Sequence, residues 1–165
     1  MKKTIVVYGS TTGTCQEVAE QIAQKLGVSD VKNISDVDAD MLADYDNLIL
    51  GTSTWGAGEL QDDWYDGVEM LKAADLSGKT IALFGVGDAE GYSDTFCGGM
   101  SSIYEAVKDS GAHIIGQVDA DTYTYDDSES VVDGKFVGLA IDSSESEGKT
   151  ENRVDAWLDG IKGEL

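Results

Sequence analysis

Three short stretches of this 165-residue chain gather groups suited to holding a small ligand. The first, residues 9–15, runs Gly9, Ser10, Thr11, Thr12, Gly13, Thr14 and Cys15. Its hydroxyls surround Gly13 where an amphipathic helix should begin. Free N–H groups and the dipole at a helix start favour an anion, and hydroxyls add donors at close range. A Walker A loop needs Gly, four residues, then Gly-Lys-Ser/Thr, and this stretch does not follow it. No lysine or arginine falls between Lys3 and Lys25. The pattern suits a phosphate held by neutral donors. A triphosphate that must react would want Lys and Mg²⁺. An ordinary Ser/Thr cap with polar turn residues explains the same composition equally well.

The second stretch, residues 52–60, places Thr52, Ser53, Thr54 and Trp55 before Gly56, Ala57, Gly58, Glu59 and Leu60. Trp55 can stack on a planar ring, and Gly56 lets a backbone carbonyl approach or turn without a Cβ penalty. The plainer alternative is a core tryptophan beside a turn. The third stretch, residues 86–97, contains Val86, Gly87, Asp88, Gly91, Tyr92, Ser93, Phe96 and Cys97. Tyr92 between Gly91 and Ser93 is poorly placed for a core and well placed to cover a ring; a surface tyrosine over a helix end is the alternative.

The elements around these stretches should alternate. Residues 4–8, 48–51 and 80–85 are continuous apolar runs, as strands buried on both faces require. Residues 31–34 read as a weaker strand. Cys15, Val18, Ala19, Ile22, Ala23 and Leu26 recur at one-face helical spacing, closed by Gly27. Residues 64–71 predict a helix stopped by Gly78, and Ile103, Tyr104 and Val107 one ended by Gly111. Val154, Trp157, Leu158 and Ile161 mark the last helix. A fifth strand starts at residues 114–118, is interrupted by a polar insertion at 119–135, and resumes at 136–141. Strands and helices in alternation predict an α/β fold, a doubly wound three-layer sandwich with a five-stranded parallel sheet of order 2-1-3-4-5. Residues 1–165 are read as one domain. In such a sheet, ligands sit beyond the strands' carboxyl ends, where all three stretches emerge. One offers phosphate donors and two each bring an aromatic. A ligand with a phosphate tail and a flat head fits, and flavin mononucleotide (FMN) has that shape.

On these residues the chain resembles the flavodoxins over essentially its whole length. The family's phosphate loop, Ser/Thr-x-Thr-Gly-x-Ser/Thr, matches residues 10–15, with Cys15 where Ser or Thr is usual. Its two flavin loops resemble residues 54–64 and 84–94, and residues 134–140 resemble the long-chain branch. The resemblance implies a low-potential one-electron carrier whose non-covalent FMN cycles between semiquinone and hydroquinone, with no catalytic residue of its own. It implies cofactor contacts at Ser10, Thr11, Thr12, Gly13, Thr14, Cys15, Ser53, Thr54, Trp55, Gly56, Ala57, Gly58, Val86, Gly87, Asp88, Tyr92, Phe96 and Cys97. Trp55 and Tyr92 would enclose the ring. The Gly56–Ala57 peptide would turn toward flavin N5. Asp62, Asp63, Asp66, Asp88, Glu90 and Asp94 would oppose further negative charge on the flavin. The helix start would lower the Cys15 thiol pKa. A rival on the same fold is an FMN-dependent NAD(P)H:quinone reductase. A signalling receiver fails, because Gly9-Ser10 and Gly51-Thr52 occupy its acidic positions.

A formal net charge of −21 excludes nucleic-acid backbones and anionic lipid as partners. It disfavours an anionic dinucleotide and self-association, and favours a monomer steered to basic redox proteins such as flavodoxin or ferredoxin reductases and low-potential oxidoreductases. Two cysteines suit a reducing cytoplasm as free thiols. The N-terminal apolar run is too short for a signal peptide, and no stretch reaches a membrane span. No metal site is expected: residues 119–127 fail the EF-hand pattern, and His113 is read as structural.

Overall fold

Apolar side chains on both faces of TIVVYG demand cover above and below. In a computed structural model, which describes residues 2–9, 13–55 and 59–165, this run is strand β1 (Thr4–Gly9) at the sheet's centre. Helix α1 (Thr14–Leu26) follows, and Gly27 ends it with φ 74, its N–H reaching the Ala23 and Gln24 carbonyls. Then come β2 (Val31–Asn33), a short α2 (Ala39–Leu42) and β3 (Asn47–Trp55). β3 turns back into β4 (Glu59–Leu60), with Trp55 opposite Glu59. α3 (Trp64–Ala73), β5 (Thr80–Gly87) and α4 (Gly99–Val107) continue the alternation. The chain closes with β6 (His113–Ile115), β7 (Val118–Asp119), β8 (Val131–Val132), β9 (Lys135–Phe136), β10 (Leu139–Asp142) and α5 (Glu147–Ile161).

β2, β1, β3 and β5 lie in that order, all parallel. The fifth position is filled twice. β6 pairs with the start of β5 and β10 with its end, both parallel to it. The order 2-1-3-4-5 and the interrupted last strand are therefore as expected. Alternate residues of each strand point to opposite faces. Ile5, Val7, Leu48, Leu50, Ile81 and Leu83 pack against Trp64, Leu71, Met100 and Ile103 of α3 and α4. Val6, Ile49, Ala82 and Phe84 pack against Val18, Ile22, Val154 and Leu158 of α1 and α5.

The strand breaks differ in detail from the sequence reading. The fifth strand stops at Ile115, because Gly116 takes φ 83 and a Cβ there would lie 2.7 Å from the Trp157 indole. That indole donates its Nε1–H to the Gly116 carbonyl at 2.8 Å. It resumes at Leu139 rather than 136, after Gly138 passes so close to β5 that a Cβ would stand 2.1 Å from the Leu83 carbonyl oxygen. Between the breaks, β7, β9 and β8 make a small antiparallel sheet. Gly78 and Gly111 do not end helices. α3 stops at Ala73 so that buried Leu76 can reach the core, and α4 stops at Val107. Both glycines sit in the turns that follow, where the Gly78 N–H donates to the Gly111 carbonyl at 3.2 Å.

Candidate functional site

The pairing register sets the site. Gly9 lies opposite Thr52, Thr52 opposite Gly85, and Ser53 opposite Val86, so the three stretches leave the sheet side by side at its carboxyl edge. Ser10, Thr11, Thr12, Gly56, Ala57 and Gly58 lie outside the described residues, as does the side chain of Trp55. What frames them is well defined. Gly13 begins α1 with φ 94 and has no side chain to fold back on the first-turn amides, while the space a Cβ would enter is open. A helix that starts at glycine, which brings no capping side chain of its own, suits a phosphate at its first-turn amides. Trp64 is fully buried against the end of β1, its Nε1–H donating to the Gly51 carbonyl at 2.7 Å. A Cβ on Gly9 would stand 2.5 Å from the Trp64 ring, so only glycine lets β1 end against it.

The second stretch is held from below. The Thr52 hydroxyl donates to the Ser53 carbonyl at 2.8 Å and accepts from the Gln61 N–H at 3.3 Å. Thr54 Oγ1 accepts from the Gly99 N–H at 3.1 Å, tying the hairpin to the start of α4.

The third stretch is wound around Asp88. One carboxylate oxygen accepts from the Glu90 and Gly91 N–H groups, both at 3.0 Å, and the Asp88 carbonyl accepts from the Tyr92 N–H at 2.8 Å. Asp142, at the end of β10, accepts from the Ala89 N–H at 3.1 Å. Held this way, Tyr92 is 57% exposed at the carboxyl edge, the placement a stacking ring needs. Val86 is buried in the core. Gly87 admits the backbone of Cys97, whose nitrogen would lie 2.6 Å from a Cβ there.

Three expected contacts turn inward. Phe96 is buried among Tyr123, Tyr125 and Phe136, with centroids 5.9, 5.6 and 5.7 Å away. Cys97 is fully buried at φ 51, its sulfur within reach of the Gly85 and Ile141 carbonyls. Cys15 is fully buried on the apolar face of α1. The lowered thiol pKa expected for Cys15 is overturned: burial pushes it up to about 12, and the Gly9 backbone hydrogen bond only partly offsets this. Burial also raises Cys97 well above the usual thiol range. Both are free thiols. At these three positions the backbone, not the side chain, is left to face a ligand.

The insertion braces the Tyr92 loop, which the sequence did not reveal. The Asp126 N–H donates to the Ser93 carbonyl and hydroxyl at 2.9 and 2.8 Å, and the Phe96 N–H to the Asp127 carbonyl at 3.2 Å. Ser128 donates to the Phe96 carbonyl, and Ser130 to the Cys97 carbonyl at 2.7 Å. The insertion is in turn pinned to α5. Arg153 stacks 3.8 Å from the Tyr123 ring centre, pairs with Glu145 at 2.7 Å and donates to the Thr122 carbonyl at 3.0 Å. That pair lowers the Glu145 pKa, and burial pushes the Tyr123 hydroxyl up to about 12. Ser128 and Ser130 lie within the polar insertion, and what marks them is their burial, which a sequence does not display.

Seven of the eleven lysines and arginines gather toward one edge of the sheet, Lys32, Lys135, Lys149 and Arg153 being the exceptions. Lys2 and Lys3 precede β1, Lys79 precedes β5, and Lys25, Lys72, Lys108 and Lys162 lie at or just beyond the carboxyl ends of helices. In this fold all of these sit at the sheet's amino edge, where helix dipoles favour cations. Residues 4–24, 33–71 and 80–107, which carry the three stretches, contain no lysine or arginine. Among the described residues, no group of three or more His, Cys, Asp or Glu could hold a metal ion, and no helix is long and apolar enough to cross a membrane. His113 is exposed and 3.8 Å from Glu164, remote from the three loops.

A family model described as Flavodoxin matches residues 6–157. Flavodoxin 1 of Azotobacter vinelandii is 40% identical, covering 100% of this chain and 98% of that protein. A flavodoxin of Picosynechococcus is 39% identical over 98% of this chain and 97% of its own length. The crystal structure of Fusobacterium nucleatum flavodoxin bound to flavin mononucleotide superposes with a TM-score of 0.92 at 29% identity, covering 100% of this chain and 99% of that one. The chain belongs to the flavodoxin family.

Proposed function

We propose that this chain is a low-potential electron carrier that holds one non-covalent FMN at the carboxyl edge of its sheet, in a single domain spanning residues 1–165. The observation that carries this reading is the convergence, at adjacent strand ends, of a helix that starts at glycine and a loop holding an exposed tyrosine, in a chain of this family. When bound, FMN supplies reversible one-electron transfer at its ring system. The chain's own residues bind and orient it. The amides of residues 13–15 and the hydroxyls of Ser10, Thr11, Thr12 and Thr14 hold the phosphate. Trp55 and Tyr92 cover the ring and exclude water. Ser53, Thr54 and the turn of Gly56, Ala57 and Gly58 line one side. The backbone of Val86, Gly87, Asp88, Phe96 and Cys97 lines the other. Gly56 offers its carbonyl to a ring N–H, a move that glycine makes cheap.

The surrounding carboxylates act on potential. Glu59, Asp62, Asp63, Asp66, Glu90 and Asp94 are exposed around these loops with no lysine or arginine in the same segments. They disfavour added negative charge in the site and so lower its potential. The same face steers basic redox proteins, such as flavodoxin or ferredoxin reductases and low-potential oxidoreductases, toward the cofactor. Net repulsion keeps the carrier monomeric, and free thiols suit a cytoplasmic setting. The quinone-reductase alternative is disfavoured by the same acidity, which repels an anionic dinucleotide.

An absorbance spectrum of the purified protein tests the reading. Flavin bands, and their loss in stepwise reduction at low potential, are expected. A colourless protein that cannot be reconstituted with FMN overturns it.

A further inference from the structure

Among the described residues only three large apolar side chains stay exposed: Tyr65, Tyr92 and Val132. Tyr92 has a role in the proposed site, and Val132 lies in the insertion's small sheet, on β8. Tyr65 is unexplained. It is 51% exposed on the first turn of α3, directly after Trp64. Trp64 is locked against Gly9 and Gly51 by packing and by its 2.7 Å bond, so the first turn of α3, which carries Tyr65, is fixed at the carboxyl ends of β1 and β3. Its own N–H donates to the Asp62 carbonyl at 3.3 Å.

Its neighbours are acidic. Asp62, Asp66 and Glu69 stand three before, one after and four after it, and only Glu69 has a cation, Lys72 at 3.3 Å. Elsewhere the chain covers tyrosine rings with its own cations: Arg153 lies 3.8 Å over Tyr123 and Lys3 4.9 Å over Tyr45. Residues 33–71 contain no cation to do this for Tyr65. An exposed aromatic face on an acidic, cation-free segment attracts a cation twice over, through its quadrupole and through the field around it. Tyrosine also brings contact area at little entropic cost, which is why it recurs as an interface anchor.

We infer that Tyr65 is the anchoring residue for the redox partner. A lysine or arginine of the partner's basic face stacks on its ring while neighbouring cations meet Asp62, Asp66 and Glu69. The inference rests on the carrier role proposed above and names the contact through which that role is exercised.

The test is electron transfer from the FMN-loaded protein, reduced with dithionite, to cytochrome c, a basic one-electron acceptor. Each ferric haem gains one electron and becomes ferrous, and the flavoprotein loses one. Rates are measured at low and high salt for the native chain, Tyr65→Ala, Tyr65→Phe and, as a remote control, Val132→Ala. Tyr65→Ala should lower the second-order rate about two- to five-fold, the range expected for an exposed cation–ring contact, with FMN content and reduction potential unchanged. Tyr65→Phe and Val132→Ala should keep the native rate. Salt should slow all four proteins, yet the deficit of Tyr65→Ala should persist, because a packed contact is not screened as steering is. Native rates for Tyr65→Ala, or a deficit that vanishes with salt, overturn the inference. If the native protein binds no FMN, or passes no electron to cytochrome c, it is the carrier reading that fails instead.

Discussion

Gly9→Ala should expose how tightly the end of β1 is fitted to Trp64. The added methyl would stand 2.5 Å from the Trp64 ring carbon Cδ1 and 2.5 Å from Gln61 Oε1. That is about 1 Å inside ordinary carbon contact. Neither neighbour yields easily: Gln61 Oε1 accepts from the Asp63 N–H at 3.0 Å, and Trp64 is fully buried and held by its bond to the Gly51 carbonyl. Overpacking of this kind costs about 1–3 kcal/mol. If the indole gives way, the Gly51 carbonyl loses its donor, for a further ~1–3 kcal/mol. A loss of ~2–6 kcal/mol is thus expected in urea unfolding of the FMN-free protein. It would be a large part of the ~5–15 kcal/mol that stabilises a typical domain. Trp64→Phe makes room while sacrificing the same hydrogen bond, so by itself it should cost about 1–3 kcal/mol. The double variant should then be more stable than the two costs summed, by about 1 kcal/mol or more. FMN titration should follow the same pattern, weakened by Gly9→Ala and partly restored in the double variant, because the phosphate loop starts at the next residue. Strictly additive costs, or a Gly9→Ala protein within about 0.5 kcal/mol of native, would refute the clash as the reason for glycine.

Thr95 Oγ1 is buried with no hydrogen-bond partner. Thr95→Val should therefore leave stability unchanged or raise it by up to about 1 kcal/mol in urea unfolding, and a clear loss would reveal a partner. Ser130→Ala removes the 2.7 Å donor to the Cys97 carbonyl and should cost about 1–3 kcal/mol; FMN affinity should fall with it, whereas an unchanged affinity would mean the insertion does not brace the site. Burial raises both thiols above their unfolded values, Cys15 to about 12. The folded state then holds protons that the unfolded state has released. Stability should be complete below about pH 8.5 and fall as pH climbs toward 12, by at most ~1.4 kcal/mol per pH unit per thiol. Urea midpoints at pH 8 and pH 10 read this out, and Cys15→Ala should flatten the slope.

Much of the fold was legible because its signals are local. Continuous apolar runs marked the strands, one-face spacing marked the helices, and hydroxyls with glycines marked the loops that leave the strand ends. Cys15 shows where local signals compete. It fits both the apolar face of α1 and the phosphate-loop pattern, and burial of a thiol beside Val18 and Ile22 prevails over exposure. That the side chains of Phe96 and Cys97 turn inward was not legible, because what holds them lies some thirty residues away, in Tyr125, Ser128 and Ser130. Likewise the fifth strand ends at Ile115 because of Trp157 in the last helix, and no window around Gly116 contains that tryptophan. Tyr65 was hidden by its neighbour: the sequence flags Trp64 as a core residue, and the exposed ring beside it becomes conspicuous only once α3 has a direction.

The gathering of seven of the eleven lysines and arginines at the amino edge, with none in the three ligand-facing stretches, also makes the molecule an oriented object. On a positively charged electrode it should adsorb carboxyl edge first, with Tyr92 and the loops around it against the metal, and exchange electrons directly. On a negatively charged one, the lysines at the amino edge would be drawn to the surface and the same loops would face solution, silent to the electrode. The direction of the strands thus decides which face of the protein conducts.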